Sequence, residues 1–333
     1  MNKVINLELS KPIYSTFHVQ GTGGAILKNN PTIHNWYYNE TSNLRCTRRF
    51  LEGYSSPELT VPNSSWNEIP HIEQRWYGME FLKGYVNAVI RELINQGFYV
   101  NFVGIDDYYV KGKSWYRKRH FNHDGLIHGF NQEKKTYSIY AYDSNFVYRS
   151  FETEQRSFNE GRKAMFDKGI YGHICGIKPK NTQVELEPIK VYNGLREYLE
   201  SSETGHKENS QEEVYGISVL DYIILYIEKL LNGEIPYEKM DWRIFRLIWE
   251  HGVVMRERMR LVSGLLRMNY SLGGNYSVVV KEMEAIRVLY ASYHMKRRDY
   301  ILNVILRKLK FVRKEEEKIL TQFVEMLGGR LGI

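Results

Sequence analysis

A chain of 333 residues, 43% hydrophobic and 26% charged, has room for one large domain or two ordinary ones and is too apolar for wholesale disorder. Eight prolines and 26 glycines exclude a collagen-like or linker-dominated chain, and two cysteines exclude both a disulfide framework and a four-cysteine zinc site. The formal net charge of +7 permits an acidic partner without choosing among nucleic acid, anionic lipid and protein.

The opening residues, MNKVINLELSKPIYS, hold no apolar signal segment, and no apolar run reaches the ~18 residues that span a bilayer. A reducing, cytoplasmic setting with no membrane association is the expectation. Residues 21–24 (GTGG) run into Ala25, Ile26 and Leu27, which predicts a glycine loop entering a short helix. Met79, Leu82, Val86, Val89, Ile90, Leu93 and Ile94 recur at helical spacing, with Gly97 as a stop. The period then shortens. Residues 98–103, 125–130, 137–142 and 146–151 are short, β-branched and aromatic, and 131–135 (NQEKK) is a polar hairpin connection. Helices followed by a mostly antiparallel sheet predict an α+β domain over residues 1–185.

Residues 186–213 read as a connecting segment that ends in an exposed polar linker, 201–213 (SSETGHKENSQEE). An all-helical domain is expected over 214–333, with helices at 219–231, 242–268, 277–295, 300–312 and 315–327. Ser218 with Asp221 resembles a capping box, and Asp241 caps the second helix. Two apolar stripes, one through Leu220, Ile223, Ile224, Ile227, Leu230 and Leu231, the other through Phe245, Ile248, Trp249, Val253 and Met259, are core or the surface of a homodimer.

The chemistry-bearing stretch is 116–143. His123 enters one predicted strand and Asp143 ends the next, and the two are equidistant from Glu133 at the turn. Residues at matched distances from an antiparallel turn become cross-strand neighbours. A carboxylate beside an imidazole fixes its tautomer and raises its basicity, as a general base requires. The alternative is a strand cap at His123 and a turn at Asp143. Asp106 and Asp107 precede Tyr108 and Tyr109; neighbours on a strand point to opposite faces, so at most one carboxylate faces a site.

His123 through Phe130 (HDGLIHGF), followed by an aromatic strand ending in Asp143, resembles the His/Asp half of a papain-like cysteine protease. More narrowly it is similar to the butirosin-biosynthesis acyltransferases of carrier-protein assembly lines. Residues 17–27 (FHVQGTGGAIL) resemble that family's nucleophile helix, 103–109 (VGIDDYY) its central strand, and 215–221 (YGISVLD) with 241–259 its helical C-terminal region. The resemblance implies a papain-like domain followed by a helical one. It implies transfer of an acyl group from an acyl or peptidyl carrier-protein thioester to an amine, in antibiotic or other specialised-metabolite biosynthesis. His123 would be the base and Asp143 its partner. His18, Gln20, Gly21, Thr22 and Gly23 would line the oxyanion region, and Asp106, Asp107 or Tyr109 would hold the amine. Phosphopantetheine would arrive on the carrier, with no other cofactor.

The chain departs from the family at one place: His18 stands where the nucleophilic cysteine is expected. Three mechanisms follow. The amine attacks the thioester directly with His123 as base; or Cys46, among Arg45, Arg48 and Arg49, acts as a displaced nucleophile; or the fold persists as an inactive carrier-binding scaffold. Cys175 (in GHICG) reads as a buried strand or turn residue.

Other patterns point elsewhere with less force. The glycines at 21–24 match neither phosphate-loop spacing. His18, His34, His71, His120, His123, His128 and His173 show no zinc-binding spacing, so no metal is expected. The basic run at 296–314 has no nucleic-acid motif. It is a solvated helix face or a docking surface for an acidic carrier protein.

Overall fold

The structure, a computed structural model, describes residues 3–53, 55–202, 212–269 and 271–333. In chain order its elements are β1 (Val4–Asn6), α1 (His18–Ala25), α2 (His34–Glu40), β2 (Arg45–Thr47), β3 (Ile72–Gly78), α3 (Met79–Leu82), α4 (Val86–Asn95), β4 (Tyr99–Asp106), β5 (Asn122–Asn131), β6 (Thr136–Tyr142), β7 (Tyr148–Glu154), α5 (Gln155–Phe166), β8 (His173–Pro179), α6 (Pro188–Glu200), β9 (Glu213–Tyr215), α7 (Ser218–Leu231), α8 (Ile244–Leu265), α9 (Ser271–Lys296) and α10 (Asp299–Leu331). They form two compact units. The first runs through Ile33 and resumes at Ser65–Gln183; the second joins His34–Ser64 to Val184–Ile333.

The first unit is a mixed α and β layer structure. Its antiparallel sheet has seven strands in the order β3-β8-β4-β5-β6-β7, with β1 also pairing β5. The hairpin turn falls where the polar 131–135 segment predicts, with Asn131 opposite Thr136. Helices α4 and α5 pack on β4, and the apolar residues of β4, Val100, Phe102 and Ile105, meet Ile90, Leu93, Ile94 and Phe158 in the core. The helix expected over 79–94 is broken into α3 and α4, and Lys83 at the break takes a positive φ of 48°. Gly104, at φ +86°, sits at a register shift between Val103 and Ile105. Such a bulge re-aims the residues that follow it, here Asp106 and Asp107.

The glycine-rich segment is not a loop. Gly21, Thr22, Gly23 and Gly24 lie inside α1, and the reason is close packing. A Cβ on Gly21 would stand 2.5 Å from Tyr148 Cε1, and one on Gly24 would stand 2.8 Å from Pro12 Cα.

The second unit is mostly helical. Segment 34–64, expected with the sheet, packs here instead. β2 pairs antiparallel with β9, and the fully buried Arg258 of α8 donates to the carbonyls of Tyr38 (2.7 Å) and Tyr37 (3.1 Å). Residues 188–200, read as connecting segment, form α6, and the two expected C-terminal helices are one, α10. The expected linker falls largely on 203–211, outside the described residues. The residue before α7 is Ile217, so Ser218 does not close a capping box. Leu220, Ile223, Ile227, Phe245, Ile248 and Met259 are buried within the unit, so both stripes contribute to its core, while Leu231, Trp249 and Val253 are half-buried. Among the described residues no helix is long and apolar enough to cross a membrane.

Candidate active site

In the first unit, the end of β4, the start of β5 and the head of α1 bring two histidines, two aspartates and a lysine together. The β4–β5 ladder sets Ile105 opposite His123, so Asp107, just beyond the strand, reaches the imidazole. His123 Nδ1 lies 2.7 Å from Asp107 Oδ2. Lys113, from the loop between β4 and β5, is fully buried; its ammonium sits 3.3 Å from Asp107 Oδ1 and donates to the Asp124 carbonyl at 2.6 Å. Nδ1 also lies 3.3 Å from the Lys113 ammonium, but the carboxylate is the nearer partner; a proton on Nδ1 serves that contact and leaves the Nε2 lone pair of His123 as the basic atom. The His123 side chain is 25% exposed, so that atom is reachable from solvent.

His18, the first residue of α1, stacks on His123 with ring centroids 4.5 Å apart. Its Nδ1 is 2.5 Å from Asp124 Oδ1, and its Nε2 accepts the Tyr142 backbone N–H at 3.2 Å. That backbone donor fixes the tautomer: Nδ1 carries the proton and gives it to Asp124. Burial pulls the His18 imidazole below its usual range, against the opposing pull of Asp124. Burial also works to raise the Asp124 carboxyl. The charge and hydrogen bond of His18, with His123 and Lys113, outweigh it and hold the group far below the ordinary carboxylate range. With both imidazoles neutral, two carboxylates face one ammonium. A proton taken up by His123 brings the cluster to neutrality, and Nε2 is only 3.7 Å from Asp124 Oδ1.

The contact that the hairpin spacing predicts, His123 with Asp143, is not made. The paired register of β5 and β6 ends with Leu126 opposite Tyr140. Asp143 instead accepts the backbone N–H groups of Asn145 (2.8 Å) and Val147 (3.0 Å), pairs with Arg149, and bridges Lys113 through its backbone. These donors, acting against burial, hold its carboxyl low. It is the turn residue of the alternative reading.

The other expected site residues are dispersed. Asp106 is buried on His120 (2.7 Å) and accepts the N–H groups of Tyr108 and Phe121, while Tyr109 packs edge-on against Tyr108. Gln20 is buried in α1; its backbone N–H and that of Gly21 both donate to the Phe17 carbonyl, so neither amide is open to an oxyanion. Thr22 and Gly23 are buried in the same helix. Cys46 belongs to β2 of the second unit. Burial pushes its thiol up to about 12, and Arg45 and Arg49 are turned to Glu213 and Glu212. Cys175, in β8, is likewise pushed up to about 12 by burial. Neither cysteine joins the histidine cluster.

His18, His123 and Asp124 each offer a ligand atom within 4.8 Å of the others. Both nitrogens of His18 are engaged, however, and a metal on Nδ1 would displace the proton that Asp124 accepts. Asp124, Lys113 and Tyr142 were not singled out in the sequence. The one local signal was that Asp124 adjoins His123.

No family model matches the chain, and no curated protein matches it.

Proposed function

We propose that this protein forms amides by passing an acyl group from a carrier-protein thioester directly to an amine, with His123 as general base and Asp107 as the residue that orients it. One observation carries the reading. A partly exposed imidazole is held through Nδ1 by a buried carboxylate and stacks on the residue that heads a helix. That helix, an antiparallel sheet and the strand-borne histidine are the parts of a papain-like site, and the sequence resemblance points to the acyltransferases among such proteins. The setting would be specialised-metabolite biosynthesis in the cytoplasm.

The chemistry needs no protein nucleophile. The amine nitrogen bonds to the thioester carbonyl carbon as its proton passes to His123 Nε2. The C–S bond then breaks, and the departing sulfur takes the proton from the imidazolium. Asp107 and Asp124 stabilise the imidazolium between these steps. A thioester is activated enough for such an attack; an unactivated amide is not, which sets a protease reading aside. In the basic run, Lys308, Lys310 and Arg313 are paired with Glu282, Glu228 and Asp221. Lys296, Arg297, Arg298, Arg307 and Lys314 have no ion pair among the described residues and are the charges left to meet an acidic carrier.

A second reading, a scaffold that binds the carrier without turnover, is favoured by His18, whose nitrogens are both bonded where a nucleophile would stand. Intact-mass measurement of an acylated carrier protein separates the two. Amine-dependent loss of the acyl group, absent in His123→Ala, supports the transferase. An unchanged acyl carrier that nevertheless binds supports the scaffold.

A further inference from the structure

A cavity of about 660 Å³ opens in the first unit between Asn87 of α4, the β5–β6 turn and α5. Its lining carries five cationic side chains, Lys134, Lys135, Arg156, Arg162 and Lys163, against two carboxylates, Glu154 and Glu160. Glu160 is already occupied by Arg156, whose Nε lies 2.9 Å from Oε1. Among the described residues the other four cations have no ion pair.

Two of the lining residues hold buried donors with nothing to donate to. Gln155 is only 8% exposed, and its Nε2 has no acceptor. Arg162 Nε is also buried without an acceptor, and burial pulls that guanidinium below its usual range with no carboxylate to compensate. A buried donor left unpaired is costly, so such groups mark a place where something binds. The amide of Asn159 is likewise unpaired through its oxygen, and a half-turn would present its NH₂ instead. Gln155 is also the first residue of α5, a helix of 12 residues whose positive end faces this cluster.

We infer that this cavity binds a phosphate group of a small molecule, with Arg162 Nε and Gln155 Nε2 as the buried donors and Lys134, Lys135 and Lys163 as the cationic rim. A tetrahedral phosphate has enough oxygens to accept from both buried donors and still meet the lysines. The volume is that of an ordinary small-molecule site. The site shares no residue with the histidine cluster and does not rest on the transferase reading.

Titration calorimetry on the full chain at low salt tests this with two probes, inorganic phosphate and glycerol 3-phosphate, which separate the free anion from an ester. Binding of either probe that weakens with added salt, and weakens about tenfold or more in both Arg162→Gln and Gln155→Leu, supports the site. No binding of either probe, or affinities unchanged in both variants, overturns it. If circular dichroism shows that the two buried substitutions unfold the chain, Lys163→Gln at the exposed rim decides by the same criterion. His123→Ala is expected to keep the wild-type affinity, so failure of one site leaves the other standing.

Discussion

His123 takes its orienting carboxylate from Asp107, at 2.7 Å, while the evenly spaced Asp143 turns away to Arg149 and to the amides of its own turn. The ladder that matters is β4–β5, joined by the loop carrying Lys113, and not the tight β5–β6 hairpin. The buried Lys113 ammonium stands behind that contact, 3.3 Å from Asp107 Oδ1.

Asp107→Asn retains the shape of the contact but removes its charge. Amide formation is expected to fall about a hundredfold or more in kcat, with KM little changed. Asp143→Asn is expected to leave kcat at the wild-type level. Equal losses in the two variants, measured by intact mass of the acyl carrier, would return the orienting role to the hairpin.

His18 acts on stability through Asp124. Removing the imidazole in His18→Ala leaves a mostly buried carboxylate without its 2.5 Å donor, at a cost of about 3 kcal/mol. The double variant with Asp124→Ala is expected to lose less than the two single losses combined, because the stranded charge is gone. Urea unfolding of the four proteins checks this, and strict additivity would sink it.

Glu316 gives the second unit a pH dependence. It is fully buried beside the Tyr276 hydroxyl, and burial pushes its carboxyl up to about 7, against the pull of Tyr276 and Tyr198. The value in the unfolded chain is 4.5, so between 4.5 and about 7 the folded state holds the extra proton. Stability therefore falls as pH rises through that window and is flat above it, by on the order of 3 kcal/mol at most. Glu316→Gln is expected to flatten the slope and to be the more stable protein above the window. Urea midpoints of both proteins across the window check it; parallel curves would count against the assignment.

Both thiols, pushed up to about 12, are expected to be inert in the native protein. A disulfide reagent at neutral pH should give no fast phase until denaturant is added, and then two thiols. Cys46→Ala should keep full transferase rate. A fast native phase that vanishes in that variant would restore the displaced-nucleophile mechanism.

What the sequence determined by itself was local. Helical spacing placed α7 and α8, alternation placed β4 to β7, and the polar NQEKK segment placed their hairpin, because each rests on neighbours a few residues apart. His123 was legible for the same reason, standing at the mouth of an obvious strand. Tertiary structure alone decided its partner. Asp107 reaches it because the bulge at Gly104 re-aims the end of β4 and an irregular loop returns Lys113 beneath it, and neither feature leaves a periodic trace. It also decided that the glycines of α1 serve close packing against Tyr148 and Pro12, and that Cys46 is sealed in a strand pairing with residues far along the chain. Contacts between distant segments depend on which faces the whole chain can bury together, and no single stretch of sequence carries that information.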